Sequence, residues 1–304
     1  MADFPTVSAV VPSRDRPGML LDAIGSIVAQ TRPPAEIIVV DDGGVGEAAA
    51  SLRRVAAGRD IPLRIVTGPR WGPGAARNAG LQVAGGDLVA FLDDDDLWRP
   101  EKLAWQVQWF SRRSSLGVLG TFWSQPGQYR NKCSARPPKN LLPVSRAALL
   151  KANRLAMSSA MARRAGLAQS GGFDESLTFA QDWDLWLRMM EHWEIAVLPA
   201  DLCLYRRHRG QRSADSEPMR AHEVEVIRRA RERVQEDARL DGIARRRLAW
   251  AHGRLGRLLA RRGEPKRALS EIATSLSLFR LNPIIWGTAA RCKVAGGAPA
   301  KAES

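Results

Sequence analysis

The chain has 304 residues, 45% of them apolar and 26% charged, with a formal net charge of +14. That is enough chain for one large, properly cored domain plus an appendage. Cys133, Cys203 and Cys292 are widely spaced and odd in number, which excludes a disulfide framework or a zinc site and fits a reducing cytoplasm. No apolar run approaches the roughly 20 residues that span a bilayer, so membrane contact is expected only at the periphery. The N-terminus runs directly into a strand pattern, and no signal peptide is expected.

The charge is uneven. Residues 1–216 carry 27 basic and 22 acidic side chains, and residues 217–304 carry 19 and 10. The basic surplus of the tail suits an anionic partner: a membrane surface, a phospholipid-linked substrate or nucleic acid. Simple solubility accounts for it equally well.

In chain order, Thr6 to Val11 reads as a strand closed by Pro12, with Asp15 as the expected cap of a helix that has Pro17 in its first turn. Leu20, Ile24, Ile27 and Val28 share a face of that helix. Glu36 to Val40 is a second buried strand running into Asp41-Asp42-Gly43-Gly44, and Leu63 to Val66 is a third. A glycine-rich turn, Gly72-Pro73-Gly74, then opens a small-residue helix containing Arg77. Leu88 to Leu92 is an apolar run that meets four acids, Asp93 to Asp96, followed by Leu97 and Trp98. Strand and helix alternate through the first 110 residues, the pattern of an α/β fold with a mainly parallel sheet. Leu116 to Phe122 and Met157 to Met161 read as further strands, with edge strands expected at Ile195–Leu198 and Leu202–Tyr205. Trp183, Trp186, Leu187 and Met190 fall on one face of a helix and are expected in the core. From Glu217 the chain becomes helical and arginine-rich. Leu255-Gly256, Ala268, Ile272 and Pro283 fit a single tetratricopeptide-like pair only weakly, and two or three packed helices are expected instead.

The acids carry the chemistry. Four adjacent carboxylates repel one another, and a hard divalent cation such as Mg2+ or Mn2+ would offset that; a solvated acidic turn is the plainer alternative. Both acidic clusters end apolar strands, and in a twisted parallel sheet such ends converge on one rim. There Asp42 suits a base or ribose hydrogen bond, Asp95 a metal bridging a diphosphate, and Arg77 a contact with the phosphates.

Several stretches together resemble the family-two glycosyltransferases over roughly residues 5–210. They are Val10-Val11-Pro12-Ser13, Ala29-Gln30-Thr31, Ile38-Val39-Val40-Asp41-Asp42-Gly43, Ala76-Arg77-Asn78-Ala79-Gly80, Phe91 to Trp98 with Pro100, Gly172-Phe173-Asp174-Glu175, and Asp182 to Trp186. The resemblance implies a GT-A fold: a Rossmann-like, mixed and mainly parallel sheet flanked by helices over residues 1–216, with a helical appendage over 217–304. It implies an inverting, metal-dependent transfer from a nucleotide-diphosphate sugar. By the same resemblance Asp42 contacts the base, Pro12, Ser13 and Arg14 line its pocket, and Arg77, Asp93 and Asp94 belong to the donor site. Asp93 and Asp95 stand as first and last members of the Asp-x-Asp motif, with Asp95 the main metal ligand. His208 lies where some members place a histidine near the diphosphate. Asp182 would be the catalytic base, with Asp184 structural.

The family's common Thr-Tyr-Asn is Ser13-Arg14-Asp15 here, its asparagine before Ala-Arg-Asn is Arg70, and the acid before the catalytic aspartate is Gln181. These departures bear on donor choice. The expected acceptor is a growing surface glycan or a lipid-linked glycan, with the protein cytoplasmic and held peripherally at the inner membrane face. Ser124–Arg154 and Arg206–Pro218 are the expected acceptor regions. A nucleotidyltransferase would need a glycine-rich, lysine-bearing loop after the first strand, where Pro12 to Pro17 stands instead. No nucleic acid partner is expected, because no recognised motif accompanies the tail and the acidic rim repels phosphate. The alternative is an inactive glycosyltransferase-like scaffold that binds an anionic partner.

Overall fold

The computed structural model describes residues 4–125, 136–208 and 216–282. The chain forms two compact units. The first comprises Met1–Ser145, Asn153–Leu177 and Gln181–Gln211; the second comprises Arg146–Ala152, Thr178–Ala180 and Arg212–Ser304.

The first unit opens with alternating strands and helices: β1 (Val7–Ser13), α1 (Pro17–Val28), β2 (Glu36–Asp41), α2 (Ala49–Ala57), β3 (Leu63–Thr67), α3 (Pro73–Val83) and β4 (Leu88–Phe91). Then come β5 (Asp96–Trp98), α4 (Lys102–Arg112), β6 (Leu116–Ser124) and β7 (Leu142–Pro143). A short helix of the second unit, α5 (Arg146–Lys151), intervenes before β8 (Met161–Arg163), α6 (Arg164–Gln169), α7 (Gln181–Met189) and β9 (Glu194–Tyr205).

One mixed sheet runs β3-β2-β1-β4-β8-β6-β9-β5, with β7 on β9. The β1–β2, β1–β4, β2–β3 and β6–β9 pairs are parallel and hold most of the register. Strands β2 and β4 are buried throughout, as their unbroken apolar runs require of a sheet covered on both faces. The chain leaves β1 on one side to make β2 and β3, then returns to its other side as β4. The crevice at the carboxyl ends of β1 and β4 is therefore the topological switch point, where such sheets bind ligands.

Three expectations need correction. Asp15 does not cap α1; it adopts φ 54° and its N–H is held by the Gly43 carbonyl, so Arg16 stands at the cap position without a side-chain bond. Met157–Ser159 is a single 3-10 turn, and the strand begins only at Met161. The two short edge strands are one strand, β9, inside the sheet between β6 and β5. Beyond the expected elements, Asp96, Leu97 and Trp98 form a short strand paired antiparallel with β9. Trp183, Trp186 and Leu187 are buried as expected, and Met190 is half-buried.

The second unit holds α8 (Glu217–Glu232), α9 (Ala238–Arg261) and α10 (Pro265–Leu278). Ser216 caps α8 through Met219 N–H, and Asp237 caps α9 through Arg239 and Leu240 N–H. Leu255, Leu259, Ala268 and Ile272 form the seam between α9 and α10. Gly256 is required there: a Cβ would lie 2.9 Å from Ile272 Cγ1 and 3.1 Å from the Ala268 carbonyl oxygen. Pro283, Cys133 and Cys292 lie outside the described residues, as do parts of both expected acceptor regions.

Candidate active site

The switch point gathers the acids. Asp94 is buried and folded back on β1: its Oδ2 accepts from Ser13 Oγ at 2.8 Å and from Arg14 N–H at 3.3 Å, and its Oδ1 from Arg16 Nη1 at 2.9 Å. Asp95 Oδ2 takes the same Arg16 Nη1 at 2.6 Å and faces His208 Nε2 at 3.0 Å. Asp93 Oδ1 accepts from Arg77 Nη2. Asp96 accepts from Ser158 Oγ and from Arg206 N–H at 3.1 Å.

Asp93, Asp95 and Asp96 each offer a carboxylate oxygen within 4.8 Å of the others. The set fits a hard divalent cation such as Mg2+ or Mn2+, which prefers oxygen donors. The electrostatics agree. Burial pushes Asp94 up to about 6, reinforced by Asp95 and Asp93 and opposed by Ser13 and Arg16. Burial and the Asp93 charge push Asp96 up to about 8. Carboxylates held at this density and depth resist ionisation until positive charge arrives.

The other end of the crevice is built from β1 and β2. Asp41 Oδ1 accepts from the Gly43 and Val45 N–H groups and fixes the turn after β2. Asp42 is buried; its Oδ2 accepts from Gly72 N–H at 3.0 Å, while its Oδ1 has no partner among the described residues. A buried acceptor left unpaired is costly, and the N–H of a base would satisfy it. Gly72 reaches Asp42 with φ 85°, a left-handed conformation that glycine adopts freely. Arg14 is exposed beside Asp15, and Pro12 sits on β1 opposite Val40.

Arg77 and the Gly172–Glu175 stretch are locked together. Asn78 donates to the Phe173 carbonyl and accepts from the Phe173 N–H, each at 2.8 Å. Phe173 packs edge-on against Phe91, with the Arg77 guanidinium 5.7 Å from its ring centroid. Gly80 lets α3 press onto the sheet, since a Cβ would meet Val10 Cγ1 at 2.6 Å. Arg77, read from the sequence as a phosphate ligand, is thus placed on Asp93.

Asp182 stands in the first turn of α7. Its Oδ2 accepts from Asn153 Nδ2 at 2.8 Å and its Oδ1 from Trp183 N–H at 2.8 Å. Burial raises its pKa; Arg77 lowers it and Asp93 raises it, which puts Asp182 within the field of the acidic cluster. Asp184 is directed to Arg188, which it holds through both Nε and Nη2 at 2.8 Å.

Two participants, Arg16 and Arg206, carried no signal in spacing, and Asp96 showed only as the last member of the four-acid run. Asp96 is a third oxygen donor, and Arg16 bridges Asp94 and Asp95. Arg206 binds the Asp95 and Asp94 carbonyls through Nε and Nη2 and Asp22 through Nη1, so it braces the acidic turn by its backbone. The four-acid run pointed to Asp96; nothing short of the fold pairs Arg206 with it.

The family model Glycosyl transferase family 2 matches residues 8–163. The succinoglycan biosynthesis protein ExoW of Rhizobium meliloti is 37% identical over 100 residues, 32% of this chain and 31% of its own. An uncharacterized glycosyltransferase of Nostoc is 33% identical over 113 residues, 37% of this chain and 35% of its own. The chain thus spans about a third of the length of these relatives. Among solved structures, S. aureus TarS 1–349 in complex with UDP-GlcNAc superposes with a TM-score of 0.67 at 19% identity, over 90% of this chain and 81% of that one. The mannosyltransferase PcManGT of Pyrobaculum calidifontis, in complex with GDP-Man and Mn2+, superposes with a TM-score of 0.59 at 21% identity, over 97% and 87%. The switch-point crevice, its acids and the match across β1 to β8 agree: the chain belongs to glycosyl transferase family 2 and has the GT-A fold.

Proposed function

We propose that this chain transfers a sugar from a nucleotide-diphosphate donor to an acceptor hydroxyl, with inversion at the anomeric carbon. The observation that carries the reading is the convergence of the Asp93, Asp95 and Asp96 carboxylates with Asp182 on the rim that also holds the unpaired Asp42 oxygen. Asp42 Oδ1 accepts from the base, and Pro12, Ser13 and Arg14 flank it. Asp93, Asp95 and Asp96 would hold a divalent cation, with His208, beside Asp95, as an additional ligand. Bound there, the metal would neutralise charge on the departing diphosphate. Arg16 and Arg77, now held on Asp94, Asp95 and Asp93, stand beside that site.

Asp182 takes the acceptor hydroxyl proton. An ordinary aspartate is a weak base, and the burial that raises its pKa makes it a better one. Asn153 and the Trp183 N–H fix its carboxylate. One base and one displacement invert the centre, and no covalent sugar intermediate is needed.

We assign residues 1–216 to catalysis and 217–304 to an accessory role. The name of the Rhizobium relative supports an acceptor in cell-surface polysaccharide synthesis. No helix among the described residues is long and apolar enough to cross a membrane. Peripheral contact with an anionic face is supported by α9, where Arg246, Trp250, Arg257 and Arg261 share one side of the helix and Trp250 is 44% exposed.

The test is thermal shift with UDP, GDP, dTDP and CDP, each with and without Mn2+, on wild type and Asp95→Ala. Metal-dependent stabilisation by one nucleotide, lost in Asp95→Ala, is the expected result. If no nucleotide stabilises the wild type in any metal condition, the protein is a scaffold rather than an enzyme.

A further inference from the structure

β6 is buried from Leu116 to Thr121 and opens to solvent at one place. Phe122 and Trp123 are consecutive yet both exposed, at 45% and 48%, between buried Thr121 and Ser124. Adjacent strand residues point to opposite faces, so both faces of β6 are open here. The opening lies opposite extra residues of β9, which shift the register between Thr121 and Phe122 and again between Phe122 and Trp123; such bulges cluster beside active sites.

The surroundings of Trp123 say what it faces. Its ring meets Tyr205 with centroids 5.3 Å apart and planes inclined at 51°. Tyr205 is the cross-strand partner of Asp96 on β5. Paired residues project to the same face with Cβ atoms about 5 Å apart, so the Tyr205 ring starts beside the Asp96 carboxylate. On its other flank β6 backs onto the 153–159 stretch: a Cβ on Gly120 would lie 2.9 Å from Leu155 Cδ2 and 3.4 Å from Ser159 Oγ. That stretch supplies Asn153 to Asp182 and Ser158 to both Asp96 and the Asp93 N–H. The end of β6 therefore lies between the segment that holds the base and the strand that borders the acidic cluster. An acceptor must reach both.

We propose that Trp123, supported by Tyr205, is the stacking platform for the sugar ring of the acceptor. This rests on the glycosyltransferase reading and names the acceptor class: a pyranose ring, not a bare alcohol or a phosphate group. The apolar C–H face of a pyranose matches the negative π face of an indole, and a rigid aromatic offers that area at little entropic cost.

Saturation-transfer NMR tests this on the full chain with Mn2+ and UDP or GDP. The probes are methyl α- and β-glycosides of glucose, galactose, mannose and N-acetylglucosamine. Wild type and Trp123→Phe should saturate the ring protons of at least one glycoside. Trp123→Ala and Trp123→Leu should bind it at least tenfold more weakly, while nucleotide-dependent thermal shifts stay as in wild type. No saturation of any glycoside by wild type, or equal saturation in Trp123→Ala and Trp123→Leu, overturns the proposal. A lost nucleotide shift in wild type would instead overturn the donor reading, so the two failures are separable.

Discussion

Asp94 at the sheet rim and Glu223 on α8 are almost equally buried, at 5% and 8% exposure, yet their acidities move in opposite directions. Burial pushes Asp94 up to about 6, and it shares its one guanidinium, Arg16, with Asp95. Burial pushes Glu223 up as well, but Arg247, Arg220 and Arg254 together pull it below its ordinary value. Depth alone does not set the charge state; the supply of cations does. The helices saturate their acids. The rim leaves carboxylates short of positive charge at the place where a metal and a diphosphate would meet, and a structural ion-pair network would have no reason to do so.

The largest effect is expected at Asp182. Asp182→Asn keeps the size of the side chain but removes the proton acceptor, so transfer should fall by roughly 10²–10⁴-fold. Nucleotide-dependent thermal stabilisation should survive. Wild-type transfer should also decline as pH falls toward the raised pKa of Asp182, because the carboxylate must be ionised to accept the proton. Steady-state rates across pH, beside thermal shifts on the same variant, check both. An Asp182→Asn enzyme with near-normal turnover would place the base elsewhere.

Lys102 sharpens the comparison from the opposite sign. It is fully buried, donating to Gln106 Oε1 at 2.9 Å, with its ammonium 4.1 Å from the centroid of Trp98. No carboxylate pairs with it among the described residues, and burial pushes it down to about 7. The unfolded chain, with a lysine near ~10.4, holds more protons between those values, so this group's contribution to stability rises as pH climbs from about 7. Lys102→Met removes the buried charge at similar volume and should be neutral to stabilising by about 1–4 kcal/mol. The difference from wild type should be largest at pH 6.5 and shrink by pH 8.5, measured by urea melts. A Lys102→Met protein that is less stable at both pH values would show that the ammonium supports the fold.

How much of this was legible in the chain follows from where the signal lay. β1, β2 and β4 could be read because uninterrupted apolar runs have one stable home, the middle of a covered sheet. β9 was divided because Pro199, Ala200 and Asp201 break its apolar pattern, and the strand passes through them as an irregularity opposite Thr121 and Phe122. Asp15 was misassigned because its backbone is held in the left-handed region by Gly43, a partner that no local propensity announces. At the site, residues that act through adjacency, Asp93 and Asp95, stood out. Asp42 could be named, but its unpaired oxygen could not. Arg16 and Arg206 were silent because arginines are common in this chain, and their targets are fixed only when β1, β4 and β9 meet. Trp123 was silent because the apolar run of β6 does not show where the cover of the sheet ends.

The smallest expected effect is on the saturated side. Glu225 accepts from Arg228 Nη2 at 2.7 Å, Arg228 Nε at 2.9 Å and Arg229 Nε at 2.6 Å. Hydrogen bonds from Arg228, then from Arg229, pull its pKa down to about 2. The sign is that of a carboxylate stabilised by folding: its contribution is present above the unfolded value of 4.5 and is lost as pH falls toward 2. Large as the shift is, the side chain is 32% exposed, and water and salt screen it. Glu225→Gln should therefore cost no more than about 1 kcal/mol at neutral pH. Most of that loss should vanish in 1 M salt, where the screening length is only about 3 Å. Melts of wild type and variant at low and high salt measure it. A salt-independent loss above about 2 kcal/mol would exceed what exposed pairs supply. It would mean that the arginines of α8 are as dependent on their acids as the rim acids are on an incoming cation, and the contrast between the two regions would fail.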